Sequence, residues 1–364
     1  MKSNVGRQLW ANRTLLALLS VAILAFAIGI GALLVLSVGK SPLDAYGTIL
    51  SSTFGDANRI FFTLSQSAPL ILVSLGLLIA IKGGFWNIGG EGQMFFGAML
   101  GLIIASSIDL NNGPIMLAAA YAGAFLGGGF WAMISGILKV RYDVDEVVST
   151  LLMNFIAFLF VFYLIRAPFR SPGARTAAVL VSVQMPAAGQ TPTYFGMNMI
   201  LPIAIVATAI VYFVFKSTKF GFRVKVLGDN KLTALASYGL RRTNLMIVLV
   251  SFLSGGIVGL GGMAVLSGFT HDIVGGSSSG TYAAGGFTSS YGFIGLAVVL
   301  LAELNPLAVI PASIFFVALV IGGLSLLIQM AIPTTFGTII SGLVILFISA
   351  RPEIINRLRR RVSE

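Results

Sequence analysis

The chain alternates between long charge-free apolar runs and short polar or glycine-rich breaks. The charge-free stretches are 14–39, 60–81, 92–108, 110–138, 147–165, 176–215, 243–270, 273–302 and 304–350. A membrane helix needs about 20 mainly apolar residues to cross a hydrocarbon core roughly 30 Å thick. The runs predict helices near 15–38, 65–82, 88–108, 115–138, 147–166, 199–216, 245–267, 292–304, 307–330 and 336–350. Barrel strands would alternate with period two over about ten residues, but here both faces of each run are apolar. The expected fold is all-α: a polytopic membrane protein of about 10 transmembrane helices, some broken or short. Expected organisation is an N-terminal segment 1–14, a single transmembrane domain 15–350 and a basic tail 351–364. Two long connections interrupt the domain, at 167–198 and 217–244.

Composition agrees with this pattern. Hydrophobic residues make up 57% of the 364 residues and charged ones 10%, against about a quarter charged in soluble domains. Mean hydropathy is +0.97. These values exclude a soluble enzyme, a disordered chain and a fibrous repeat. Cysteine is absent, so there is no disulfide framework, thiolate metal site or cysteine nucleophile. His271 is the only histidine, which removes any multi-histidine metal site. A Gly-x-x-x-x-Gly-Lys-Ser/Thr phosphate loop is also missing. No enzymatic activity, metal or cofactor of the chain's own is expected.

Net charge is nevertheless +11, and the placement of the basic residues explains it. With ten spans, Lys40, Arg59, Arg166, Arg170 and Arg175 fall on one side, and every other Lys and Arg falls on the opposite side. The positive-inside rule puts that richer side, with both termini and the 217–244 loop, in the cytoplasm. Topology accounts for the charge. A basic, aromatic-interleaved groove for nucleic acid is missing, so no nucleic-acid partner is expected.

The polar residues that interrupt the apolar runs are the candidate chemistry. Lys82-Gly-Gly-Phe-Trp-Asn-Ile-Gly-Gly-Glu-Gly-Gln-Met94 places Asn87, Glu91 and Gln93 among five glycines. Non-helical backbone at membrane depth survives where protein buries it or where it lines a wet cavity. An acid there is costly and marks a functional site by default; the alternative is a turn whose glutamate complements a helix N-terminus. The uncharged Gly275–Phe293 stretch, with Phe287, Tyr291 and Phe293 near its end, is a second interruption. Paired interruptions in a transporter point to a substrate site between repeats. Asn154 follows Thr150 by one helical turn and serves as either path-lining amide or interhelical glue. Gly127–Gly129 and Gly255–Gly261 read as close-packing surfaces. In the 217–244 loop, Asp229 or Asn230 can cap a short helix that Gly239 ends. Leu232, Leu235 and Ala236 then share one face, for a partner's groove or the bilayer surface.

Four stretches resemble the membrane permease subunits of bacterial and archaeal ABC importers of the branched-chain amino acid, simple sugar and nucleoside group, and the nucleoside-type permeases most of all. They are Phe85–Gly97, Val144–Ala157, Val226–Asn230 with Ala234, Ala236, Tyr238 and Gly239, and Gly286–Val298. Asp145 departs from the group's usual asparagine, and Ala302-Glu303 stands where a glycine and a basic residue are common. The resemblance implies a plasma-membrane or inner-membrane subunit. Its partners would be a second, different permease chain, two cytoplasmic ATPases that bind the ATP, and an external substrate-binding lipoprotein. For such a permease the interrupted segments make Asn87, Glu91, Gln93, Phe287, Tyr291 and Phe293 the expected substrate path, with Asn154 beside them. ATPase coupling would be carried by Gly228, Asp229, Leu232, Ala234, Leu235, Ala236, Tyr238 and Gly239. A nucleoside is the expected solute. A sugar or amino acid permease, an ion-coupled secondary transporter with Glu91 as its carboxylate, and a channel are the alternatives.

Overall fold

The computed structural model describes residues 25–26, 28–107, 113–166, 181–184, 191, 193–194, 197–275, 290–337, 339–340, 342–343 and 346. Among them, helices follow one another with little else between. They are α1 (Ile28–Ser37), α2 (Pro42–Phe54), α3 (Ala57–Lys82), α4 (Gly90–Ser107), α5 (Gly113–Tyr142), α6 (Glu146–Arg166) and α7 (Ile200–Ser217). Next come α8 (Lys219–Asp229), α9 (Lys231–Tyr238), α10 (Leu240–Val265), α11 (Tyr291–Leu301) and α12 (Pro306–Met330). Strands are confined to two small antiparallel ribbons, β1 (Val181–Gln184) with β4 (Asp272–Gly275), and β2 (Thr193–Tyr194) with β3 (Met197–Asn198).

The all-helical expectation holds, and six described helices are long and apolar enough to cross a membrane. The α1–α2 pair, bent by 116°, would make a seventh. The expected count of about ten also drew on α4, α11 and the 336–350 run. A glycine-rich break leaves α11 only 11 residues, the polar first turn of α4, with Glu91 and Gln93, lowers its hydropathy, and most of 336–350 lies outside the described residues. Helix α2 was not expected. Ser41 caps it, accepting from the Asp44 N–H, and Pro42 starts it. These are ordinary start signals, but the segment is too polar to read as a span.

The chain divides into two compact units, residues 1–63 with 315–364, and residues 64–314. In the first, Thr63 donates to the Thr53 carbonyl at 3.0 Å, joining the start of α3 to α2. Gly322 lies against Ile49, where a Cβ would sit 2.6 Å from the Ile49 side chain. The second unit holds most of the candidate residues. Its centre is the contact of α4, α5 and α10. A Cβ on Gly128 would strike the Gly255 carbonyl, one on Gly259 the Ala124 carbonyl, and one on Gly97 would lie 2.7 Å from the Gly259 Cα. The two glycine stretches are therefore packing surfaces, as read from the sequence: small residues let backbones meet where the bilayer supplies no hydrophobic drive. Around this centre α6 and α7 turn Phe155, Leu159, Tyr163, Val206, Ile210 and Phe213 outward. Apolar bands of that extent suit lipid and not water.

Candidate functional site

The 83–89 break is a real interruption of helix. α3 closes with Gly84 in the left-handed region (φ 71°), which a side chain rarely adopts. Residues 85–89 are non-helical before α4 begins at Gly90. Their polar groups are paired with one another and with neighbouring helices. The Asn87 amide donates to Gln93 Oε1 at 2.9 Å and to Ser254 Oγ of α10 at 2.9 Å. Its carbonyl accepts from the Gly89 N–H at 2.9 Å and from Gln93 Nε2 at 2.8 Å. That is the full capacity of a side-chain amide. Thr150 of α6 accepts from the Ile88 N–H at 3.1 Å. Asn154, one turn on, donates to the Ile88 carbonyl at 3.0 Å and accepts from the Gly92 N–H at 2.8 Å. The backbone freed by the break is thus re-satisfied by α6, as membrane depth demands.

Glu91 occupies the first turn of α4 and is 2% exposed. Its Oε1 accepts from the Gly292 N–H at 2.8 Å and the Phe293 N–H at 3.3 Å, at the start of α11. The two backbones touch there: a Cβ on Gly90 would lie 3.0 Å from the Gly292 Cα, and one on Gly292 would strike the Glu91 nitrogen. The residues that close the two interruptions, Gly90-Glu91 and Gly292-Phe293, therefore meet, and a carboxylate joins them. Tyr291 is buried, its hydroxyl 3.5 Å from the Gln66 carbonyl, and Phe293 is half open. Phe287 lies outside the described residues. Asn87, Gln93 and Asn154 are buried, at 0%, 1% and 3% exposure. Sequence reasoning missed Ser254 and the clamping role of Thr150. The available signal was a hydroxyl within an otherwise apolar helix.

A second cluster forms at the end of the unit where α3, α5 and α10 carry Lys82, Lys139, Arg241 and Arg242. Asn230 caps α9, accepting from the Leu232 and Thr233 N–H groups at 2.9 and 3.1 Å. Gly239, at φ 76°, ends it with an N–H to the Leu235 carbonyl. Leu227 and Ala234 pack with Phe85, Ala80 and Ile247, and Tyr238 lies against them. Arg223 stands over the Tyr238 ring at 5.7 Å. Leu232 and Ala236 face outward, whereas Leu235 is half-buried. Gly228 is wedged on the α3 terminus: a Cβ there would strike the Lys82 carbonyl and crowd the Gly84 nitrogen at 3.0 Å. Beside the α8–α9 junction a cleft of about 160 Å³ is lined by Gly83, Gly84, Lys139, Glu146, Asp229 and Lys231, among others. Lys139 bridges Asp143 at 3.2 Å and Glu146 at 3.1 Å across the α5–α6 turn. Among the described residues, no group of three or more His, Asp or Glu could hold a metal ion.

Loss of the cap should be a small, local effect. Asn230→Ala is expected to destabilise α9 by about 1 kcal/mol. Hydrogen exchange should accelerate at the Leu232 and Thr233 amides and remain unchanged in α10.

Apolar helices long enough to span a membrane, interrupted by a glycine-rich break, joined through a buried carboxylate and held at one end by a short capped helix, have the build of a polytopic membrane permease. Residues 59–349 match the family described as the permease component of the branched-chain amino acid transport system, and the chain belongs to it. It is 30% identical to the glucose ABC transporter permease protein TsgB13 of Haloferax volcanii, over 95% of this chain and 91% of that one. It is also 30% identical to the guanosine ABC transporter permease protein NupP of Bacillus subtilis, over 91% and 93%. A second guanosine permease protein of that organism, NupQ, is 24% identical over 70% of this chain and 78% of its own. No solved structure matches the chain.

Proposed function

We propose that the chain is one permease subunit of an ATP-binding cassette importer and forms part of the path for a small polar solute, a nucleoside first of all. The observation that carries this reading is the physical link between the short α9 element and the broken 83–89 segment, through Gly228 and Phe85. Such a link is what a permease needs if an outside motor is to move its transport helices. Helices α8 and α9 would lie in the cytoplasm, with both termini on that side and about ten spans in all. Two separate ATPases would dock there and bind the ATP, and the permease would need no cofactor of its own. A different permease chain would complete the path, and the presence of both NupP and NupQ among the relatives supports a heteromeric pair. An external lipoprotein would deliver the solute. Asn87, Glu91, Gln93, Asn154, Phe287, Tyr291 and Phe293 would frame the path once the helices move. The similarity to TsgB13 keeps a hexose as the second reading.

The test is uptake by proteoliposomes holding this permease, its paired permease, the ATPases and the lipoprotein. ATP-dependent accumulation of radiolabelled guanosine, with glucose accumulating far more slowly, is the expected result. The reverse preference would establish the sugar reading. Uptake by the chain alone, driven by a proton or sodium gradient, would overturn the ATP-driven reading.

A further inference from the structure

Glu91 does more than sit in a break. Its Oε1 takes two N–H groups from the first residues of α11, 201 and 202 residues away in sequence. A carboxylate at a helix start is favoured by the aligned peptide dipoles, and Glu91 lies at the start of both α4 and α11. No Lys or Arg occurs between 83 and 138, between 147 and 165, or between 243 and 302, so no basic side chain from these stretches competes with the α11 N–H groups for the carboxylate. The Gly90–Gly292 contact leaves no room for a side chain between the helices. Relative motion must therefore be passed on or break the joint.

The other end of the same segment is also held. Gly228, at the α8–α9 junction, rests on the Lys82 carbonyl and Gly84, and Phe85 packs with Leu227 and Ala234. Between these grips, residues 87–93 are cross-linked by the Asn87–Gln93 pair and by the Thr150 and Asn154 bonds. The segment is a short strut with one end in the coupling element and the other at Glu91. α11 in turn packs on α3, where a Cβ on Gly295 would lie 2.9 Å from Val73.

We propose that Glu91 is a positioning residue that carries movement of the α8–α9 junction into α11, through its bonds to the Gly292 and Phe293 N–H groups. This rests on the proposed ATP-driven reading. Among the residues that frame the path, it gives Glu91 the part of holding and moving the wall, and leaves contact with the solute to the others. A charged acceptor makes roughly twice the bond of a neutral one, so the charge itself is needed.

The test uses the complete importer in proteoliposomes and reads solute imported per ATP hydrolysed for wild type, Glu91→Asp and Glu91→Gln. Asp keeps the charge but withdraws it by one methylene, and Gln keeps the reach but loses the charge. The expected order is wild type above Asp above Gln, with Gln at least about fivefold below wild type. ATP hydrolysis should persist, and apparent affinity for the loaded lipoprotein should not change. Gly292→Ala, which pushes α11 off the Glu91 nitrogen, should uncouple likewise, and the Glu91→Gln/Gly292→Ala double variant should be no worse than the poorer single one. An unchanged ratio in all variants, a parallel fall of hydrolysis and uptake, or multiplying effects in the double variant would each overturn the proposal. If Gln lowers the yield of complex, the comparison of Asp with wild type decides by the same criterion. A wild-type complex that imports nothing with ATP would instead refute the importer reading, so the two failures are separable.

Discussion

Replacing Asn154 with leucine is expected to cut uptake by at least about 30-fold, the equivalent of roughly 2 kcal/mol, and to lower the thermal midpoint of the complex. The side chain joins the end of the non-helical stretch to the first turn of α4, through the Ile88 carbonyl and the Gly92 N–H. Leucine keeps the branched four-atom outline of asparagine, so it leaves no cavity and the loss is chiefly polar. Two buried main-chain groups would lose their partners, at about 1–3 kcal/mol each. Side-chain bonds between membrane helices average only about 0.6 kcal/mol, because the alternative state also finds partners. The Ile88 carbonyl lies in the break and the Gly92 N–H in the first turn of α4, and the Asn154 amide bridges them where no backbone bond joins them, so the larger figure applies. Scanning fluorimetry in detergent beside transport assays separates two roles. Lost uptake with an unshifted midpoint would make Asn154 a solute contact, and would sink the clamp.

The same residue shows where sequence reasoning reached and where it stopped. Asn154 one turn beyond Thr150, in an apolar helix, could be read as glue or as path, and nothing local decides between them. The deciding fact is contact with Ile88 and Gly92, 66 and 62 residues away. Elements set by local chemistry were legible: the break at Gly83-Gly84, the Asn230 cap and Gly239 stop, and the glycine surfaces of α5 and α10. Those features need only propensity and side-chain size. Glu91 was legible as a costly acid among glycines, but not as the cap of α11, because that bond depends on packing between distant helices. Ser254 went unnoticed because a single hydroxyl carries little weight in a run of apolar residues. Helix α2 was missed for a different reason: its start signals are clear, but attention to spans discounts a 13-residue polar segment.

Leu232→Glu is expected to release the ATPase subunits on purification and to reduce ATP-driven uptake by about 100-fold or more. Leu232 is 75% exposed on α9, a helix of eight residues too short to hold itself. α9 is held by the other face, through Ala234 and Tyr238 against Phe85 and Leu227. The substitution therefore leaves the packing of α9 intact and alters only the outward surface. Burial of that leucine in a partner's pocket would be worth about 2 kcal/mol or more, as for the apolar anchors that dominate interfaces. An unpaired carboxylate in the same place adds a desolvation cost. Leu235→Glu is a poorer probe, since Leu235 is half-buried against its own bundle and its loss confounds docking with folding. Co-purification stoichiometry and uptake, with Asn230 and Gly239 left in place, give the readout. Full ATPase retention with normal uptake in Leu232→Glu would return the outward face of α9 to the bilayer surface, and would move the docking site to the cleft between Lys139, Glu146 and Lys231.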